Sequence, residues 1–240
     1  MPPTDRFVIS FAAEPPQEAL PYGRWADTLR EHFLEACRRL DAEAEGEDLG
    51  EAGEIAWFPD RTYCGRTYVP AVARTSAGYE LFGFVSFSEA GGGPSDFVTR
   101  AEFTSETAES NPDWRLDLND DVVGSWRGEN GNVAEMTLVW GVPMIGGGAI
   151  VTAELADLAV DQCALHEERF TLLAPDNYRG DYLEIMLWDG RGRLLADESL
   201  YVEDSEDSDD DESSGSDDES PAAADSPDSG DESDGSSASR

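Results

Sequence analysis

Lysine is absent from the chain: all sixteen basic residues are arginine, set against 53 aspartates and glutamates, for a formal net charge of −37. A lysine-free basic set points to a GC-rich or acid-adapted coding source more than to any one chemistry. The shortage of cations excludes direct binding to DNA or RNA phosphate, because that affinity rests on Lys and Arg displacing counterions. The expected partners are basic protein surfaces.

Cysteine is scarce too. Cys37, Cys64 and Cys163 form no Cys-x-x-Cys pair, and neither His32 nor His166 adjoins a cysteine, which excludes a disulfide scaffold and a cysteine-rich zinc module. No metal site is expected elsewhere. Asp117, Asn119 and Asp121 alternate as the first ligands of a calcium loop would, but Val122 stands where the loop glycine belongs and the closing glutamate is misplaced. Apolar runs long enough to span a membrane are missing, and Met1 to Arg6 gives no cationic start followed by an apolar stretch. The expectation is an intracellular protein, cytoplasmic or nuclear, neither secreted nor membrane-bound.

What the chain does have is enough apolar material for a core: 39% hydrophobic residues, with six Trp, seven Tyr and ten Phe. That material stops abruptly. Residues 203–240 hold 16 acids, 12 serines and one arginine, with no aromatic and no large aliphatic residue. Such a segment has nothing to bury against the entropy of ordering, and is expected to be a disordered tail. Ser205, Ser208, Ser213, Ser214 and Ser216 lie among acids, the setting for an acid-directed kinase, and each phosphate would add nearly two negative charges. The body keeps 37 acids against 15 arginines, so the acidity is general.

Within the body, Phe7, Ile9 and Phe11 alternate along Arg6 to Ala12 as a first strand would, and Pro15, Pro16 and Pro21 then interrupt the chain. From Tyr22 to about Glu45, Trp25, Leu29, Phe33, Ala36, Cys37 and Leu40 recur every three or four residues, predicting one amphipathic helix. Glu45 to Gly53 is expected to be a loop. Runs rich in aromatic and β-branched residues then predict strands over Glu54–Phe58, Thr62–Ala73, Glu80–Ser88, Phe97–Thr104, Trp114–Leu118, Val122–Arg127, Val133–Val142 and Ile150–Leu158. A last pair, Tyr182–Trp188 and Arg193–Val202, is joined at Asp189-Gly190-Arg191-Gly192, a hairpin signal. About ten short strands predict a mainly β fold, an antiparallel sandwich or a distorted jelly-roll-type barrel, with one N-terminal amphipathic helix. The expected organisation is an N-terminal strand and helix in 1–53, a β-rich domain in 54–202 and the tail in 203–240.

Two segments resemble a known family. Ala77-Gly78-Tyr79-Glu80-Leu81 resembles the first signature of the dUTPases, and Pro175-Asp176-Asn177-Tyr178-Arg179-Gly180-Asp181 resembles their third. Gly192-Arg193-Leu194-Leu195-Ala196 is a weaker echo, and the three follow in the family's order. The resemblance implies a distorted jelly-roll barrel and, in an active member, dUTP hydrolysis with Mg²⁺. It also implies a nucleotide pocket at Tyr178, Gly180 and Asp176 with Tyr79 in support. Read as residues alone, Gly78 and Gly180 are turn glycines, and Tyr79 and Tyr178 half-buried strand aromatics.

The departures are specific. The family's water-activating carboxylate falls at Pro175, and Asp176, one residue on, points to the opposite face of an extended segment. No Pro-Arg-Ser-Gly segment holds a triphosphate, Trp126-Arg127-Gly128 being the nearest, and the acidic tail replaces the glycine-rich, arginine-containing arm that closes over substrate. The resemblance therefore implies a degenerate relative that keeps the barrel and loses the chemistry. Degenerate copies of that kind occur in large DNA viruses and act by binding host proteins. The function expected is a non-enzymatic interaction protein with no cofactor, whose tail engages basic protein surfaces. The alternatives are an active dUTP nucleotidohydrolase using Mg²⁺, and a salt-adapted domain with a solubilising tail.

Overall fold

The computed structural model describes residues 23–43, 47–90, 93–128 and 131–201. The strand expected at Arg6–Ala12, the acidic tail and its five candidate serines lie outside the described residues.

The helix forms where its spacing predicted. A 3-10 turn, Gly23–Trp25, leads into α1, Ala26–Glu43, with Asp27 in the first turn where the helix dipole favours an acid. Leu29, Phe33, Ala36 and Cys37 are buried, so one stripe of the helix faces inward.

Twelve strands follow among the described residues: β1 (Ala52–Trp57), β2 (Arg61–Tyr63), β3 (Arg66–Thr75), β4 (Glu80–Ala90), β5 (Gly93–Thr104), β6 (Leu116–Arg127), β7 (Val133–Pro143), β8 (Gly148–Leu155), β9 (Leu158–Ala164), β10 (Phe170–Asp176), β11 (Glu184–Asp189) and β12 (Leu194–Ser199). They make three antiparallel sheets: β1-β3-β4-β5 with β2 paired to β3; β10-β7-β6; and β12-β11-β8-β9. The fold is thus mainly β, built of open sandwich-like sheets that do not close into a barrel. Of the two architectures expected, the sandwich is the one formed.

Three apolar clusters place the layers. Leu29, Phe33 and Cys37 of α1 meet Val69, Ala71 and Ala73 of β3 and Leu81, Val85 and Phe87 of β4. On the opposite face of that first sheet, Tyr68 and Phe84 meet Met136, Leu138 and Trp140 of β7 and Leu173 of β10. The far face of the second sheet, through Val139, Phe170, Leu172 and Ala174, packs on Val151, Ala153, Ile185 and Leu187 of the third. The order is helix, sheet, sheet, sheet. Consecutive residues of β3, β4, β7 and β10 serve opposite neighbours, as the period of two requires. The second sheet is covered on both faces, which is why β10 is buried from Phe170 to Pro175 without alternation.

Packing there is close. A Cβ on Gly141 of β7 would lie 2.1 Å from the Asp117 carbonyl oxygen of β6, so only glycine lets the two strands approach at that point. The expected strand Thr62–Ala73 proves to be two, folded back at Cys64-Gly65, where both residues have positive φ (51° and 76°). That is the type I′ turn, whose twist matches paired strands. Trp114–Leu118 and Val122–Arg127 prove to be one strand, β6, with a bulge between Val122 and Gly124. Ile150–Leu158 turns back at Ala156-Asp157 into β9, which, like β10, no sequence signal announced. The last hairpin forms as expected, but Gly192 and not Gly190 takes the positive φ, and Asp189 Oδ1 accepts from the backbone N–H of Arg191 (2.8 Å) and of Arg193 (2.9 Å).

Candidate functional site

The segment from Pro175 to Asp181 folds as one small unit at the end of β10. Asp176 Oδ1 accepts hydrogen bonds from the backbone N–H of Asn177 (2.7 Å) and Leu183 (2.8 Å). Between them Tyr178 and Asp181 exchange backbone hydrogen bonds (3.0 and 3.2 Å) around Arg179-Gly180, both at positive φ, another I′ turn. The Tyr178 ring meets Trp126 edge-on at 5.4 Å, and the Arg179 guanidinium lies 5.0 Å from its centroid. Gly180 leaves open space where a side chain would stand. Asp176, Tyr178 and Gly180 therefore lie together. Tyr79 packs elsewhere: it follows the turn at Gly78, meets Phe103 edge-on at 5.8 Å, and belongs to the cluster under α1. Pro175 is buried on β10, opposite Met136 of β7, and sits on the outer strand of its sheet, where a missing N–H breaks no ladder.

Beside that turn the surface is concave. An open groove of about 570 Å³ is lined by Asp157 from the β8–β9 turn, by Gly180, Asp181, Tyr182 and Glu184, and by Tyr201 beyond β12. The rings of Tyr182 and Tyr201 are tilted against each other with centroids 4.6 Å apart, and the two residues are 36% and 48% exposed, among the most exposed large apolar residues described. Asp157, Asp181 and Glu184 are all exposed. Only Gly180 was legible beforehand; Tyr182 and Tyr201 read as ordinary strand residues, and Asp157 sits in an unannounced turn.

A second polar cluster lies between the first two sheets. Glu80 opens β4 and is buried, and its carboxyl is pushed up to about 7 by burial first and by Asp117 next, while Arg74 and a hydrogen bond with Asn119 pull the other way. Arg74 is paired with Glu109. Burial likewise raises Asp117, again opposed by Arg74. Asp121 is bonded to Arg100 Nη1 at 2.6 Å. The alternation of Asp117, Asn119 and Asp121 is thus the face of a strand, not a loop, and its members are engaged with sheet one. Among the described residues no group of three or more His, Cys, Asp or Glu side chains is placed to hold a metal ion.

The third cluster is buried at the corner where β2, β9 and β10 meet. Arg61, 2% exposed, has its Nε 3.6 Å from Asp161 Oδ2, which also accepts from the Leu173 N–H at 2.8 Å. Burial pushes the neighbouring Cys163 thiol up to about 11 although Arg61 pulls the other way, which favours the protonated thiol. His166 is exposed and opens the tight turn Glu167-Glu168 that leads back to Arg169.

Among the described residues no helix is long and apolar enough to cross a membrane. Comparison with protein-family models, with curated proteins and with solved structures finds no match for this chain.

Proposed function

We propose that the chain is a non-enzymatic interaction protein that engages basic protein surfaces. The observation that carries this reading is how its arginines are used. Arg38, Arg61, Arg66, Arg74, Arg100 and Arg193 are each paired with an acid of the same chain. Arg115 and Arg169 are given to the carbonyls of Leu195 and Trp57. Exposed acids on outward strand positions, Glu102, Glu135, Glu184 and Asp197 among them, belong to a body in which 37 acids outnumber 15 arginines. The surface that remains attracts cationic partners, speeds their encounter and is weakened by salt.

The dUTPase-like signatures fit this role as remnants of an ancestral pocket. Asp176, the acid nearest the missing base, spends one oxygen on two backbone N–H groups of its own turn. In the same reading the tail extends the polyanion, and phosphorylation at Ser205, Ser208, Ser213, Ser214 and Ser216 deepens it. The test is fluorescence anisotropy of a labelled hexa-arginine peptide against the full chain, from about 50 mM to about 500 mM salt. Binding that weakens steeply with salt is expected; no binding at the lowest salt overturns the reading. Hydrolysis of dUTP with Mg²⁺, abolished by Tyr178→Ala, would do the same from the other side.

A further inference from the structure

The geometry points to the groove at Tyr182 and Tyr201 as the place where one arginine side chain of a basic partner docks; the inference rests on the interaction reading above and gives it an address. Two kinds of wall meet there. The tyrosine pair offers exposed ring surface, and Asp157, Asp181 and Glu184 supply carboxylates from three separate pieces of chain: the β8–β9 turn, the Tyr178–Asp181 turn and the start of β11. A guanidinium is planar and weakly hydrated, stacks on an aromatic face and presents donors in a fork that matches a carboxylate. Lysine's ammonium, strongly hydrated and compact, meets the charge but not the ring face equally well. The groove is therefore an arginine site before it is a lysine site.

Its walls are held from behind. Leu183, between Tyr182 and Glu184, is fully buried, and its N–H is fixed by Asp176 while its carbonyl takes the Leu200 N–H at 3.0 Å. These bonds place Tyr182 and Tyr201, on the two strands' ends, side by side before any partner arrives. The chain's own arginines near the turn do not fill the groove: Arg179 lies over Tyr178 and Arg193 is paired with Asp189. Among the described residues no cation is paired with these three acids or placed on the tyrosine pair, and a preformed site of that make-up takes a cation from outside.

The experiment is titration of the full chain with hexa-arginine and, separately, hexa-lysine, followed by amide NMR shifts at about 0.15 M salt, where diffuse attraction is screened beyond roughly 8 Å. Saturating shifts at residues 156–157, 180–184 and 199–201 are expected with hexa-arginine, with weaker ones for hexa-lysine. Tyr182→Leu with Tyr201→Ala, both at exposed positions, should lower hexa-arginine affinity at those amides by about three- to tenfold. Binding of the wild-type chain with no shift in the groove, or equal affinity of the double variant, overturns the arginine site and leaves diffuse attraction standing. Failure of wild-type to bind hexa-arginine at any salt overturns the interaction reading itself. Asp157→Asn with Glu184→Gln separates the walls: equal loss for both peptides there, with no tyrosine effect, means charge alone.

Discussion

Arg61 Nε lies 3.6 Å from Asp161 Oδ2, with the two side chains 2% and 16% exposed, and this pair ties β2 of the first sheet to β9 of the third. The same carboxylate oxygen accepts the Leu173 N–H of β10, in the second. One acid thus fastens all three sheets at a corner. Removing one member of a buried pair strands the other charge, so Arg61→Met should cost about 3–5 kcal/mol in urea unfolding. Arg61→Met with Asp161→Asn should cost clearly less than the sum of the single changes, because neither charge is left uncompensated. A loss below about 0.5 kcal/mol for Arg61→Met would show that the corner does not depend on the pair.

Glu80 gives the fold a pH dependence of known sign. Its carboxyl stands at about 7 when folded against an ordinary 4.5, raised by burial and then by Asp117. The folded state therefore holds the proton more tightly than the unfolded chain. That contribution to stability is complete below about 4.5 and is lost as pH rises through 7. Glu80→Gln removes the titration while keeping a polar partner for Asn119. The variant should gain on the order of 1–3 kcal/mol over wild-type at pH 8 and close to nothing at pH 4. A difference that stays constant between the two pH values would refute Glu80 as the source.

How much of this was legible differs by layer. The helix stripe Leu29, Phe33, Ala36 and Cys37 could be read because one face meets a sheet and the other meets solvent. Strands β3 and β4 showed as strands because their aromatic and β-branched residues are dense. β10 hid because Phe170 to Pro175 is covered on both sides, and a doubly buried strand shows no alternation. β9 hid because its entry turn, Ala156-Asp157, has no glycine, asparagine or proline, and one aspartate after an alanine is a weak turn signal. The break expected in β6 reflects Asn119, Asp120 and Asp121, turn-forming residues by composition that tertiary packing against Arg100 and Glu80 holds extended. The groove was illegible for a further reason: its walls come from turns and strand ends brought together only by the third sheet's pairing.

Thr137 in the middle of β7 is 1% exposed, and its hydroxyl finds no hydrogen-bond partner among the described residues. A buried polar group without a partner costs about 1–3 kcal/mol, and valine has nearly its shape. Thr137→Val is therefore expected to stabilise the protein by about 1 kcal/mol, read as a shift of the urea midpoint with the slope unchanged. Destabilisation by the substitution would mean that the hydroxyl is bonded in solution, to an internal water for instance.

The tight turns make the last expectation, and they come as a matched pair. At Glu167-Glu168 both residues sit at positive φ, 50° and 60°, between His166 and Arg169, which exchange backbone hydrogen bonds of 2.8 and 2.9 Å. An ordinary L-residue in that region costs roughly 1–2 kcal/mol through the crowding of its Cβ, and two like charges stand side by side as well. Replacing Glu167-Glu168 by Asn-Gly, the pair such turns prefer, should stabilise by about 1–2 kcal/mol. In a body of this size that raises the melting temperature by about 2–4 °C for each kcal/mol. The converse holds at Gly65, φ 76°, where a Cβ would meet nothing within 4 Å. Gly65→Ala adds no clash, so the roughly 1 kcal/mol it should cost is backbone conformation alone. If the two changes shift stability in the same direction, the turn geometry is not what sets it.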